Sequence, residues 1–188
     1  MLHQETLTLL HYFSSKTKNF ILEIGPYIGG STLALASPRN EHEQMVLTIE
    51  PGGSYLNHPH LPSKNILSDL RQNILKYKQE KKVAIFQGYS YEENIISKIK
   101  KVVGPKTIDL LFIDADGDVG RDVSAFWDKL SNECILVLDD YFTSHSPEKQ
   151  TLVQRWVNNE KINGKISELC VVKWGTWFGK INKTTQVI

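Results

Sequence analysis

The sequence predicts an α/β fold, a seven-stranded mixed sheet with helices on both faces, and three stretches carry that prediction. Asn19 to Ala36 runs from a short apolar strand through a glycine-rich bend into an alanine- and leucine-rich helix. Glycine alone reaches positive φ at little cost and lets a ligand approach the backbone, so this bend reads as a binding loop for a nucleotide-like ligand. Thr107 to Asp116 is a nearly continuous apolar run ended by two acids, as suits a central parallel strand covered on both faces. Trp174-Gly175-Thr176 joins two strand-like runs, and so short a link permits only an antiparallel hairpin.

Composition narrows the classes. At 188 residues the chain suits one domain with one core, here taken as residues 1–188 with an amino-terminal helical segment, 1–18, and a core over 19–181. A formal net charge of +1 gives no basic field for nucleic acid. No run approaches the roughly eighteen apolar residues of a membrane span. Gln4, Glu5 and His11 interrupt any leader-like pattern, so a cytoplasmic protein is expected. Cys134 and Cys170 lie in apolar strand-like runs and are expected as buried free thiols.

In chain order, Leu2, Leu7, Leu10 and Phe13 form the stripe of a helix, suited to packing or to a subunit contact in a homodimer. Phe20 to Ile24 is strand one, Ser31 to Ala36 its helix, and Met45 to Glu50 strand two. Glu50 falls 25 positions after Gly25, the spacing that brings an acid beside a cofactor ribose. Pro51 to Lys64 is a turn-rich loop at a strand end and reads as a lid. Its His58 and His60 are metal ligands, bases or plain loop histidines. Ile66, Leu70, Ile74 and Tyr77 mark a surface helix. Lys82 to Gln87 is strand three, followed by Gly88-Tyr89-Ser90, where Ser90 and Glu93 make a capping-box pattern. Strand four ends in Asp114 and Asp116. A helical stripe of Val123, Phe126, Trp127 and Leu130 precedes strand five, Glu133 to Tyr141, which contains Asp139 and Asp140. Ser146-Pro147 starts a helix through Leu152, Val153, Trp156 and Val157. Ser167 to Lys173 and Trp177 to Ile181 close the sheet.

The dinucleotide fingerprint G-x-G-x-x-G, laid on the bend, puts its outer glycines on Gly25 and Gly30 and its middle one on Tyr27. A pyrophosphate fits poorly against a tyrosine there. S-adenosylmethionine carries no phosphate, and Gly25, Gly29 and Ser31 offer its amino-acid end backbone and hydroxyl contacts. Glu23 to Ala36 resembles motif I of class I S-adenosylmethionine-dependent O-methyltransferases, nearest the catechol and caffeoyl-CoA type and their bacterial relatives. The resemblance spans residues 19–181. It implies a Rossmann-like sheet of strand order 3-2-1-4-5-7-6 with strand 7 antiparallel. It also implies that Gly25, Gly29 and Ser31 hold the methionine end, with Glu23, Tyr27 and Asp114 lining the cofactor site, Glu50 on the ribose, and Gly88, Tyr89 and Ser90 as adenine neighbours.

Four carboxylates, Asp114, Asp116, Asp139 and Asp140, are expected on one rim, and so much negative charge calls for a counter-ion. In the metal-dependent relatives a divalent ion such as Mg²⁺ sits at these strand ends, which carries over as ligands Asp114, Asp139 and Asp140. Asp140 stands where that family commonly has asparagine, and Gly117 where a bacterial D-x-D-H pattern would have histidine. Two readings stay open: bound metal, or acids that cap helices and backbone amides. Without a metal, His145 or an acid such as Asp114 serves as the base. The expected function is methyl transfer to a small-molecule acceptor, with a hydroxyl oxygen preferred. A non-catalytic binding relative and a nicotinamide-dependent oxidoreductase are the alternatives.

Overall fold

A computed structural model describes residues 2–38, 45–143 and 146–183. In order these form α1 (Gln4–Lys16), β1 (Phe20–Ile24), α2 (Gly30–Ala36), β2 (Val46–Glu50), α3 (Ile66–Lys76), β3 (Val83–Gln87) and α4 (Glu93–Val103), then β4 (Ile108–Ile113), α5 (Val119–Phe126), β5 (Leu130–Leu138), α6 (Pro147–Ile162), β6 (Ile166–Val171) and β7 (Trp177–Ile181). The strands lie in the expected order β3-β2-β1-β4-β5-β7-β6. Strands β1 to β5 pair in parallel, and β7 runs antiparallel to both β5 and β6.

Strand alternation divides the core into two layers. Leu22, Ile24, Leu47, Ile49, Leu111 and Ile113 pack against α4, α5 and α6 through Ile95, Ile99, Val123, Phe126, Val153 and Val157. Ile21, Val46, Leu110, Phe112 and Val137 face Leu10, Leu35, Leu70 and Ile74 of α1, α2 and α3. Each fully buried side chain of this kind contributes about 1.5–3 kcal/mol, which fixes the register, since a slip by one residue would exchange the two layers. Register then builds the functional edge. Ile24 pairs with both Ile49 and Ile113, and Ile113 with Leu138, so the next residues, Gly25, Glu50, Asp114 and Asp139, stand side by side. Three further amide bonds continue the ladder: Gly25 to Ile49, Asp114 to Ile24 and Asp139 to Ile113, at 3.2, 2.9 and 3.0 Å.

Several element ends differ from expectation, for reasons the structure makes plain. Strand β5 begins at Leu130 and stops at Leu138, because pairing with β4 shifts register after Ile108 and Asp140 turns the chain at φ 56°. Helix α4 starts at Glu93 with Glu92 at its N-cap, and Ser90 spends its hydroxyl elsewhere, so the capping box does not form. Tyr77 caps the end of α3 and is exposed. Ser146 precedes α6 without a side-chain cap, while Pro147 occupies the first helical position as expected. Cys134 is buried, Cys170 partly so, and both are free thiols. No described helix is long and apolar enough to cross a membrane.

The one polar break in β4 has a structural task. Asp109 Oδ2 accepts from the backbone amides of Lys18 and Asn19 at 3.1 and 2.9 Å, and Oδ1 from the Thr107 hydroxyl at 2.7 Å. Burial works against its charge, but these bonds prevail and hold the carboxyl below its usual range. A carboxylate so depressed adds stability above its unfolded pKa and loses it as pH falls through the folded one. Asp109→Ala is expected to cost about 1.5–3 kcal/mol at pH 7, read from urea unfolding, with the gap from wild type closing below about pH 4.

Candidate active site

The bend after β1 is forced by a close approach. Gly25 has φ 86°, and a Cβ built there would lie 1.9 Å from the backbone oxygen of Asp114. No residue with a side chain fits. Tyr27 (φ 51°) and Gly29 (φ 94°) continue the left-handed turn before α2, and Ser31 is buried in its first turn. Glu50, 5% exposed, points into the bend: its Oε1 accepts from the Gly52 amide at 2.8 Å, and the Tyr27 amide also lowers its pKa. Burial outweighs both bonds and raises it overall.

Glu23 lies deeper, on the strand face shared with Ile21, and is wholly buried. Thr32 donates to its Oε2 at 2.6 Å, while Oε1 and the neighbouring Thr48 hydroxyl are among the described buried polar atoms without a hydrogen-bond partner. Burial raises the Glu23 pKa, offset in part by the nearby Ser31, Thr32 and Thr48 hydroxyls and reinforced by the charge of Glu50. Three hydroxyls thus surround a carboxyl group that the strand has taken wholly out of water.

The loop after β2 covers this bend. Tyr55 and Ser63 exchange two backbone bonds across it, at 2.8 and 3.1 Å, and the Ser63 hydroxyl donates to Asp69 Oδ2 at 2.6 Å. The Tyr27 hydroxyl donates to the Leu61 carbonyl at 2.5 Å, and the ring stacks on His58 with centroids 5.2 Å apart. That clasp holds Tyr27 in a backbone conformation that costs a non-glycine residue about 1–2 kcal/mol. His58 Nδ1 accepts from the amides of His60 and Leu61, so this histidine shapes the loop.

At the third strand end, Ser90 donates to Asp122 Oδ1 at 2.7 Å. Asp122 is fully buried in α5, and Arg121 also binds it, from Nε and Nη2, each at 3.0 Å. Burial raises the Asp122 pKa against both partners. Arg121 lies over the Tyr91 ring, 4.7 Å from its centroid, and grips Asp116 through two bonds of 3.0 Å. Asp116 thereby leaves the rim on which the sequence placed it. Tyr89 is half exposed and stacks on Tyr91. Sequence reasoning missed Arg121 and Asp122, although an acid on the apolar stripe Val119, Val123, Phe126 was a readable signal.

Asp114, Asp139 and Asp140 do share the rim. Burial and then the charges of Asp139 and Asp140 push Asp114 well above the usual carboxylate range. Asp139 is also raised, by burial first, although Thr176 donates to its Oδ1 at 2.7 Å. The Thr176 hydroxyl meets that of Thr6, from α1, at 3.0 Å, and both are buried. Lys149 of α6 brings its Nζ to 3.4 Å from Asp140 Oδ2. Among the described residues no three His, Cys, Asp or Glu side chains are arranged to hold a metal ion. The donors present do not fit the implied Mg²⁺: one oxygen is spent on Thr176, a lysine faces another, and the cavity beside Gly117 is about 10 Å³, room for one water and not for a hydrated ion. His145 lies outside the described residues.

Residues 22–141 match a family described as a methyltransferase domain. No curated protein matches. Solved structures share the fold at low identity. The O-methyltransferase TomG from Streptomyces achromogenes, involved in tomaymycin synthesis and in complex with SAM, is 15% identical with TM-score 0.74 over 97% of this chain and 82% of its own. An O-methyltransferase from Bacillus cereus in complex with SAH is 17% identical with TM-score 0.70, covering 97% and 83%. The SAH-bound methyltransferase PaMTH1 from Podospora anserina is 20% identical with TM-score 0.69, covering 97% and 80%.

Gly25→Ala combines left-handed strain with a backbone clash and is expected to cost about 3 kcal/mol in urea unfolding. Glu23→Gln is expected to leave the urea midpoint at pH 7 unchanged or higher. The raised pKa means that wild-type stability falls, relative to the variant, as pH rises above the ordinary glutamate range, and paired pH series read that slope directly.

Proposed function

The chain belongs to the methyltransferase-domain family, and from that premise we propose that it transfers the methyl group of S-adenosylmethionine to a hydroxyl oxygen of a small molecule. One observation carries the reading: strand register sets the glycine bend, Glu50 and Asp114 in a single row at the carboxyl edge of the sheet, where open α/β sheets bind their ligands. In this reading Gly25, Gly29 and Ser31 receive the methionine end of the cofactor. Glu23, behind the bend, lines the same end of the cofactor site. Glu50 accepts from the ribose hydroxyls, and Gly88, Tyr89 and Ser90 border the adenine. Residues 1–188 act as one domain.

The chemistry asks little of the protein beyond alignment, because the sulfonium already activates the methyl group. The C–S bond breaks as the C–O bond forms, and the departing cofactor is a neutral thioether. The acceptor must shed its proton, and in this reading Asp114, beside the bend, or His145 takes it. The loop closed by Tyr27 and Leu61 keeps water from the sulfonium. Against a nicotinamide cofactor stands Tyr27 itself, which occupies the place of the glycine that a pyrophosphate needs.

Isothermal titration is expected to show saturable binding of S-adenosylmethionine and none of NAD; the reverse overturns the reading. Glu50→Ala is expected to weaken S-adenosylmethionine about 10- to 100-fold, the worth of hydrogen bonds to a charged group. Radiolabelled methyl transfer to a panel of hydroxyl-bearing and amine-bearing small molecules then tests the acceptor class.

A further inference from the structure

The acidic rim contains a cation of its own, and the way it gets there is built into the backbone. Gly117, just past β4, has φ 92°, and a Cβ on it would already touch the Cα of Lys149 at 3.4 Å and the Cβ of Lys149 and Cδ1 of Leu152 at 3.6 Å. The left-handed φ is what calls for glycine here, a Cβ would make only ordinary contact, and α6 packs directly against position 117. With glycine there, Lys149 reaches in and sets its Nζ 3.4 Å from Asp140 Oδ2, and its charge lowers the pKa of Asp114. Gly117, Asp139, Asp140 and Lys149 line one small cavity. Lys149 Nζ thus pairs with the acid after β5, and its charge is felt at the acid after β4.

We propose that the Lys149 ammonium is the resident cation of this rim, standing where a divalent ion would otherwise be coordinated, so that the chain offsets part of the rim's negative charge without a metal. What the charge is for rests on the methyl-transfer reading: as the acceptor hydroxyl passes its proton to Asp114 and its oxygen bonds the methyl carbon, a fixed ammonium at the mouth of the rim stabilises the negative charge on that oxygen. The placement of the charge does not rest on that reading. A rim that keeps its own cation excludes a second one, because a divalent ion about 4 Å from an ammonium is repelled by roughly 2 kcal/mol even at the dielectric of water.

Mn²⁺ binding to the full chain, followed by electron paramagnetic resonance, tests this. Wild type is expected to show no saturable site below about 1 mM. Lys149→Ala is expected to bind Mn²⁺ at least about tenfold more tightly than wild type. Asp140→Asn in that background is expected to abolish the gain, and Lys149→Arg to behave as wild type. Lys149 is partly exposed on α6, and the Arg variant separates loss of charge from any disturbance of the helix. Micromolar Mn²⁺ binding by wild type, or no gain in Lys149→Ala, overturns the proposal. Titration of wild type with S-adenosylmethionine reads separately: failure there overturns the methyl-transfer reading and leaves the cation result standing.

Discussion

The contact on which the rest depends is the approach of Gly25 to the carbonyl of Asp114. Two parallel strands run side by side to their ends, and the chain leaving the first turns so close to the second that a Cβ there would overlap its carbonyl. Only a residue without a side chain in a left-handed conformation can make that turn. Because it is made there, helix α2 begins beside the end of β4, in a row of strand ends that has β2 on one side and β5 on the other. The apolar layers hold the register of the sheet, and the register holds this contact.

Electrostatics at the edge follow from the same packing. The strand ends deliver acids into a region that the helices have already dried, so burial is the first cause of the raised pKa of Glu23, Glu50, Asp114, Asp122 and Asp139. Each is then handled differently. Asp122 has Ser90 and Arg121, Asp139 has Thr176, Glu50 has the Gly52 amide, and Glu23 has the hydroxyls of Thr32 and its neighbours. Acids left partly uncompensated in a crevice are what distinguishes a working edge from a structural one.

Much of this was legible in the residues because it is local. The glycine bend, the acid after β2, the continuous apolar β4 and the tight Trp174 to Thr176 turn all act within a few positions of themselves, and the strand order was implied by the family resemblance those motifs carry. What was hidden depends on side chains far apart in the chain. Ser90 has the spacing of a helix cap, and only its meeting with Asp122, 32 residues on, shows another use. Asp116 reads as a rim acid until Arg121 claims it. Gly117 reads as a missing histidine, yet its significance lies in Lys149, whose approach no spacing rule records.

The pair of hydroxyls joining Thr6 to Thr176 carries a consequence for the amino-terminal helix. That helix contributes no strand and no residue of the glycine bend, and could pass for a removable prefix. Through Thr6, though, it fixes the hydroxyl that in turn fixes Asp139. Protease nicking or a neighbouring molecule that lifts α1 away would therefore slacken a carboxylate more than a hundred residues further along the chain, so that the packing of one helix end governs the placement of an acid at a distant strand end.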